Sequence, residues 1–245
     1  MSEQGDADCA FSMCNGVKYQ LYVDLNSHSY GKYFINNYEE LPHAEIHKNF
    51  PVTNERDEFD HVIRCIEKTP HKSISVCTNM YPRIDDIDDE IKLFMRKIFT
   101  LKPEYETYLK NYISSFPKNF NLFHYRIGDD CMVKDFINQH ALDNFIENKK
   151  ENSVLISDSL EFKKKIFETY KNQDVKVLLN IPYHSGYINR FTEKNREIDT
   201  LMDFMLIQNA KEINCYTIYG WVSNFVYWTS IIYDIPLNKL FFGNR

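Results

Sequence analysis

The sequence predicts an α/β fold built on a parallel sheet, and three observations carry that prediction. From residue 118 onward, short apolar runs of strand length alternate with longer stretches of helical period, the pattern of parallel strands joined by right-handed crossovers. Asn121–Ile127 reads as a strand rich in β-formers (Leu122, Phe123, Tyr125, Ile127) and stops at Gly128, where the backbone is free to turn. The 245 residues are 43% hydrophobic and 15% aromatic, enough for a sizeable core.

The elements follow in order. Residues 1–15 are acidic and polar and are expected to be disordered. Val17–Asp24 reads as a strand, residues 25–54 carry no assignable pattern, and Glu55–Glu67 has helical spacing with Thr69-Pro70 after it. Ser73–Thr78 is a short buried strand. Five acids between Asp85 and Glu90 precede Ile91, Leu93, Phe94 and Ile98, so they read as the dipole-favoured first turn of a helix rather than a metal-holding cluster. Pro103–Phe116 is an amphipathic helix with Tyr105, Tyr108, Leu109, Tyr112 and Ile113 on one side. Beyond the 121–127 strand come a helix over Asp135–Asn148, a strand over Ser153–Ser157 and a helix from Asp158-Ser159 through Tyr170. A strand over Val175–Leu179 follows, then a long helix within Glu193–Ile213 that buries Leu201, Phe204, Met205 and Ile207. A strand over Asn214–Ile218 and a helix over Ser223–Tyr233 complete the chain. The organisation expected is a tail over 1–15, an N-terminal α/β domain over 16–117 and a C-terminal domain over 118–245.

Composition narrows the function. The net charge of −6 argues against a nonspecific nucleic-acid binder, which needs a basic face, but leaves room for one anionic ligand held by a local Arg. The six cysteines have neither zinc-ribbon nor disulfide-scaffold spacing, and reduced, buried thiols are expected. With seven glycines, no G-x-G-x-x-G and no Walker pattern, a dinucleotide or P-loop site is not expected. No apolar run reaches the length of a membrane span and the N-terminus lacks an apolar signal region, so the expected location is cytoplasmic.

The chemistry concentrates at the end of the 121–127 strand. His124 and Arg126, two residues apart, point to one side of it, and two Asp follow Gly128. In an open α/β sheet, ligands bind at the carboxyl ends of the strands. Arg suits a diphosphate, because its planar fork donates parallel hydrogen bonds and stays charged. The plain structural alternative is an edge-strand ion pair between Arg126 and an Asp.

Three segments bear a family resemblance. His124-Tyr125-Arg126-Ile127-Gly128-Asp129 resembles the H-x-R-x-[GT]-D motif of GDP-fucose-dependent fucosyltransferases, a superfamily that includes α1,6-, nodulation and protein O-fucosyltransferases. Val154–Asp158 is similar to that family's strand ending in an Asp pair, here Asp-Ser. Asn189–Glu193 and Asp203–Ala210 resemble two later stretches of the α1,6 group, and Leu101-Lys102-Pro103 resembles the lead-in helix. Order and spacing agree over about residues 118–235. The resemblance implies a GT-B-like fold, two facing Rossmann-like domains with a reduced N-terminal one on the acceptor side. It implies metal-independent transfer of fucose from GDP-fucose to a glycan or other hydroxyl acceptor, with no further cofactor.

Carried over residue by residue, Arg126 would bind the diphosphate, His124 would contact the nucleotide, Asp203 would hydrogen-bond the guanine and Asp158 would support the base pocket. Asp130 or Asp135 would act as base toward the acceptor, or be merely solvated. His184 is a further loop candidate for the acceptor. The family's small-hydroxyl motif is replaced here by Ile218-Tyr219-Gly220-Trp221-Val222-Ser223, so the phosphate hydroxyl would come from Thr217, Tyr219 or Ser223. The N-terminal half also lacks the family's Gly-rich loop. The alternative function is therefore a catalytically reduced GDP-sugar-binding protein of the same fold.

Overall fold

The computed structural model describes residues 46–49, 74–77, 87–128, 138–171, 174–180 and 196–243. The chain divides into two compact units, Met1–Lys102 and Pro103–Arg245.

In the first unit, strand β1 (Ile46–Asn49) pairs in parallel with β2 (Ile74–Cys77), Ile46 opposite Ile74 and Asn49 opposite Cys77. β2 falls within the strand expected over 73–78, whereas β1 lies in the stretch that carried no readable pattern. Helix α1 (Asp89–Ile98) begins where the acidic run was read as a helix start. The side chain of Asp88 caps it, Oδ1 accepting from the Ile91 amide at 2.8 Å, and Asp89 and Glu90 occupy its first turn. Ile91, Met95 and Ile98 are buried at spacings of one helical turn. The strand expected over 17–24, the helix expected over 55–67 and the tail lie outside the described residues.

The second unit holds α2 (Pro103–Ile113), β3 (Asn121–Arg126), α3 (Gln139–Asn148), β4 (Ser153–Ser157), α4 (Leu160–Thr169), β5 (Val175–Val177), α5 (Arg196–Asn209), β6 (Glu212–Thr217), α6 (Asn224–Ile232) and β7 (Leu237–Phe242). All five strands pair in parallel, in the order β5-β4-β3-β6-β7. The expected α/β fold with a parallel sheet is what forms, and the 121–127 strand is its centre, not an edge.

The inner strands β3, β4 and β6 are buried on both faces, as the interior of a parallel sheet requires. On one face, Phe123, Tyr125 and Ile127 of the β3 segment, Leu155 of β4 and Tyr216 of β6 pack against Ala141, Leu142 and Phe145 of α3 and Phe162 and Ile166 of α4. Aromatic rings make up much of this cluster. Tyr125 stacks on Tyr216 at 4.8 Å, Tyr216 on Phe241 at 5.0 Å, and Phe145 meets Phe123 and Tyr125 edge-on. The buried hydroxyls are satisfied: Tyr125 donates to Asn144 Oδ1 at 2.7 Å, and Tyr216 bonds His140 Nδ1 at 2.8 Å. The opposite face carries Leu122, His124, Ile156, Ile213 and Cys215, all buried. Helices α2, α5 and α6 pack on one another through α5.

Two differences from the sequence reading have simple causes. β7 was not expected, because Pro236 reads as a terminator and Asn238 and Lys239 break the apolar pattern; both are tolerated on an edge strand with one open side. In α2 the side that looked apolar is only partly covered: Leu109 is fully buried, while Tyr108 and Tyr112 stay exposed.

Candidate functional site

The strand order defines where a ligand can sit. The first strand of the second unit, β3, is central; the chain lays β4 and β5 to one side and then returns to place β6 and β7 on the other. The two directions part at the carboxyl ends of β3 and β6, the position where doubly wound sheets open a crevice. The ladder runs to its last rung, with the Ile218 amide donating to the Arg126 carbonyl at 3.1 Å. Beyond it Gly128 ends the β3 segment close to the Ile218 and Tyr219 side chains of the β6 segment.

Arg126 is held at this point from β4. Its Nη1 lies 3.3 Å from Asp158 Oδ2, with the Arg side chain 20% exposed and the Asp side chain 4% exposed. The same carboxylate accepts from the Ile127 amide through Oδ1 at 2.8 Å and from the Gly128 amide through Oδ2 at 3.0 Å. One buried carboxylate therefore fixes both the guanidinium and the turn that carries it. Ser157 ties the same corner by donating its hydroxyl to the Tyr125 carbonyl at 2.7 Å, and Ser159 caps α4 by accepting from the Phe162 amide at 3.2 Å. The ion pair anticipated as the plain alternative thus exists, but it binds two central strands. On its other side the Arg126 guanidinium lies 5.9 Å from the centre of the Tyr219 ring, which stacks on Trp221 at 5.3 Å. Trp221 is 59% exposed, so the aromatic pair faces outward.

Gly128 completes the turn at φ +118°, in the region that side chains rarely adopt. A Cβ there would meet Ile218 Cδ1 at 2.7 Å and the Tyr219 hydroxyl at 3.4 Å. The isoleucine tip can turn away, so the backbone conformation is the larger cost. Gly128→Ala is expected to lose about 1–3 kcal/mol of stability, read as a lower denaturation midpoint at unchanged m. A loss below a few tenths of a kcal/mol would mean that the turn relaxes without strain.

His124 projects on the same side of β3 as Arg126, and Cys215 of β6 sits beside it, Sγ to Nδ1 3.6 Å. Burial and the Arg126 charge push the imidazole down to about 3, and burial pushes the Cys215 thiol up to about 12. At neutral pH both are uncharged, so the pair offers hydrogen bonds and not a thiolate nucleophile.

Asp203 is buried on α5, where it belongs to a group that the sequence did not reveal. The Asn180 side-chain amide donates to Asp203 Oδ1 at 2.9 Å and to the Asp199 carbonyl at 3.0 Å. The Lys163 ammonium, fully buried on α4, donates to the Asn180 carbonyl and, at 2.7 Å, to Asn180 Oδ1. Burial pushes Asp203 up to about 6 against the pull of Lys163 and Asn180, and it pushes Lys163 down to about 8 against Asp203, Asp199 and Asp158. Lys163 lies in a run of three lysines that reads as a solvated face, yet helical spacing puts it on the buried stripe with Phe162, Ile166 and Tyr170.

The three hydroxyl candidates differ. Thr217 is fully buried, its Oγ1 accepting from the Tyr219 amide at 3.1 Å. Tyr219 is half-buried beside Arg126. Ser223 is the N-cap residue of α6 and makes no side-chain capping bond, so its hydroxyl stands at the first turn of that helix. Asp130, Asp135 and His184 lie outside the described residues. Among the described residues, no group of three His, Cys, Asp or Glu is placed to hold a metal, and no helix is long and apolar enough to cross a membrane.

The second unit is thus an α/β body whose strand order reverses beside an anchored Arg. No protein-family model and no curated protein matches the sequence. Among solved structures, the chain is similar to NodZ α-1,6-fucosyltransferase co-crystallised with GDP, at 12% identity and a TM-score of 0.42 over 72% of this chain and 59% of that one. The same enzyme soaked with GDP-fucose gives 12% identity and a TM-score of 0.42 over 73% and 60%. The chain spans about three fifths of the length of the structures it matches.

Proposed function

We propose that this chain is a glycosyltransferase that takes a GDP-sugar donor, GDP-fucose by its sequence motif, and passes the sugar to a hydroxyl acceptor without a metal. The observation that carries the reading is Arg126 held by Asp158 at the carboxyl end of β3, where the strand order reverses. Breaking the sugar–phosphate bond builds negative charge on the departing diphosphate while the sugar gains oxocarbenium character. A guanidinium fixed in advance stabilises that charge more than the ground state, and the difference is catalysis. Groups of this kind typically contribute about 10²–10³ in rate. Ser223 and the first turn of α6 would add hydroxyl and amide donors to the phosphates, Tyr219 would close over Arg126, and His124 would meet the nucleotide as a neutral imidazole.

In this reading Asp203 reads guanine, whose N1 and N2 present adjacent donors that adenine and uracil do not. Residues 118–245 hold the donor, residues 16–117 serve the acceptor side in a GT-B-like pair, and Asp130 or Asp135 takes the acceptor proton. The protein works in the cytoplasm. The second reading, a GDP-sugar binder without turnover, is favoured by the missing Gly-rich loop. Release of GDP from GDP-fucose, with or without an acceptor, separates the two.

The test of the donor is a thermal-shift panel of GDP, UDP, ADP and CMP in the presence of EDTA. GDP is expected to stabilise most, by about 2.7 kcal/mol at 100 times its Kd. Equal shifts for all nucleotides would remove base reading by Asp203, and a shift restored only by Mn²⁺ or Mg²⁺ would move the protein to a metal-dependent class.

A further inference from the structure

We propose that Lys163, acting through the Asn180 amide, is the positioning residue that orients the Asp203 carboxylate and thereby sets the base preference of the donor site. The inference rests on the GDP-binding reading above and deepens it. An ammonium can only donate, so the Asn180 atom that faces Lys163 is its oxygen. That choice turns the amide nitrogen the other way, toward Asp203 Oδ1 and the Asp199 carbonyl. The flipped amide would set an oxygen against a carboxylate and a nitrogen against an ammonium, so Lys163 selects one rotamer. Asp203 Oδ1 is then occupied, and Oδ2 accepts no hydrogen bond from any described residue, although Asp203 is 7% exposed. A buried carboxylate oxygen of this kind calls for a donor, and the N1–H and N2–H edge of guanine supplies one.

The charges around the group give the inference its measurable signature. Lys163 on α4 faces Asp203, Asp199 and Asp158; Asp203 faces Lys163 and its own neighbour Asp199; and Tyr112 of α2, beside Tyr108, senses both Asp199 and Asp203. Guanine needs the ionised Asp203, so GDP affinity should fall as pH drops through about 6. Lys163 is the cation in this set, and removing it disfavours the carboxylate and moves that midpoint to higher pH.

The experiment measures GDP and UDP affinities by calorimetry on the full chain from about pH 5 to about pH 8, on either side of Asp203's value of about 6. It compares wild type with Lys163→Met, Asn180→Asp and Asp203→Asn. Asn180→Asp keeps the acceptor for Lys163 and replaces the donor facing Asp203, so it tests the relay even where Lys163→Met does not fold. Both relay variants are expected to lose about tenfold or more of the GDP-over-UDP preference and to raise the pH midpoint, with UDP affinity unchanged. Asp203→Asn should abolish the pH dependence. A lowered melting temperature with the wild-type preference and midpoint retained would overturn the inference, leaving Lys163 a packing group. Wild type binding GDP and UDP equally would overturn it by removing the base-reading role on which it rests.

Discussion

Arg126→Ala binds GDP about 30- to 150-fold more weakly than wild type if the guanidinium clamps the diphosphate, since charge-assisted hydrogen bonds contribute about 2–3 kcal/mol. Arg126→Lys recovers part of this and not all, because an ammonium offers a point charge without the fork. GMP, lacking the β-phosphate, binds wild type weakly and is less affected by the substitution. Stability should change by roughly 1 kcal/mol, because Asp158 keeps its two backbone donors and Arg126 already reaches solvent. Calorimetry for the nucleotides and denaturant unfolding for the apo protein separate the two roles. A large stability loss with unchanged GDP affinity would make Arg126 a structural ion pair and withdraw the observation on which the proposed function stands.

Much of the second unit was legible in the sequence, for identifiable reasons. β4, fully buried, reads as the apolar run Val154–Ile156 flanked by serines, and the structure begins and ends it at Ser153 and Ser157. α4 and α5 follow from period, and Ser159 marks the start of α4 through its own hydrogen bond. β7 was hidden because an edge strand needs only half a pattern. At the site, Arg126 and Asp158 were visible as residue types at strand ends, but not their pairing, which depends on β3 and β4 being neighbours in register, Tyr125 opposite Ser157. Lys163 and Asn180 are not legible as a pair, because a buried ammonium is rare enough that three consecutive lysines read as surface. What betrays Lys163 is its place on the stripe of Phe162 and Ile166, a signal of spacing and not of chemistry.

Asp158→Ala is expected to carry the largest stability cost of any single change at the site, about 3–5 kcal/mol. The carboxylate is the acceptor for two buried amides, Ile127 and Gly128, and each left unsatisfied costs about 1–3 kcal/mol. Arg126 loses its ion pair with Asp158 in the same step, so GDP affinity should fall together with stability, whereas Arg126→Ala separates them. Asp158→Asn should rescue little: its oxygen can serve one amide, but its nitrogen then faces the other, donor against donor. Denaturant unfolding of the three proteins, with GDP titrations on whatever remains folded, reads both effects. If Asp158→Ala unfolds within about 1 kcal/mol of wild type, water has replaced the carboxylate at both amides, and the turn that aims Arg126 is set by Gly128 and the strand ladder alone.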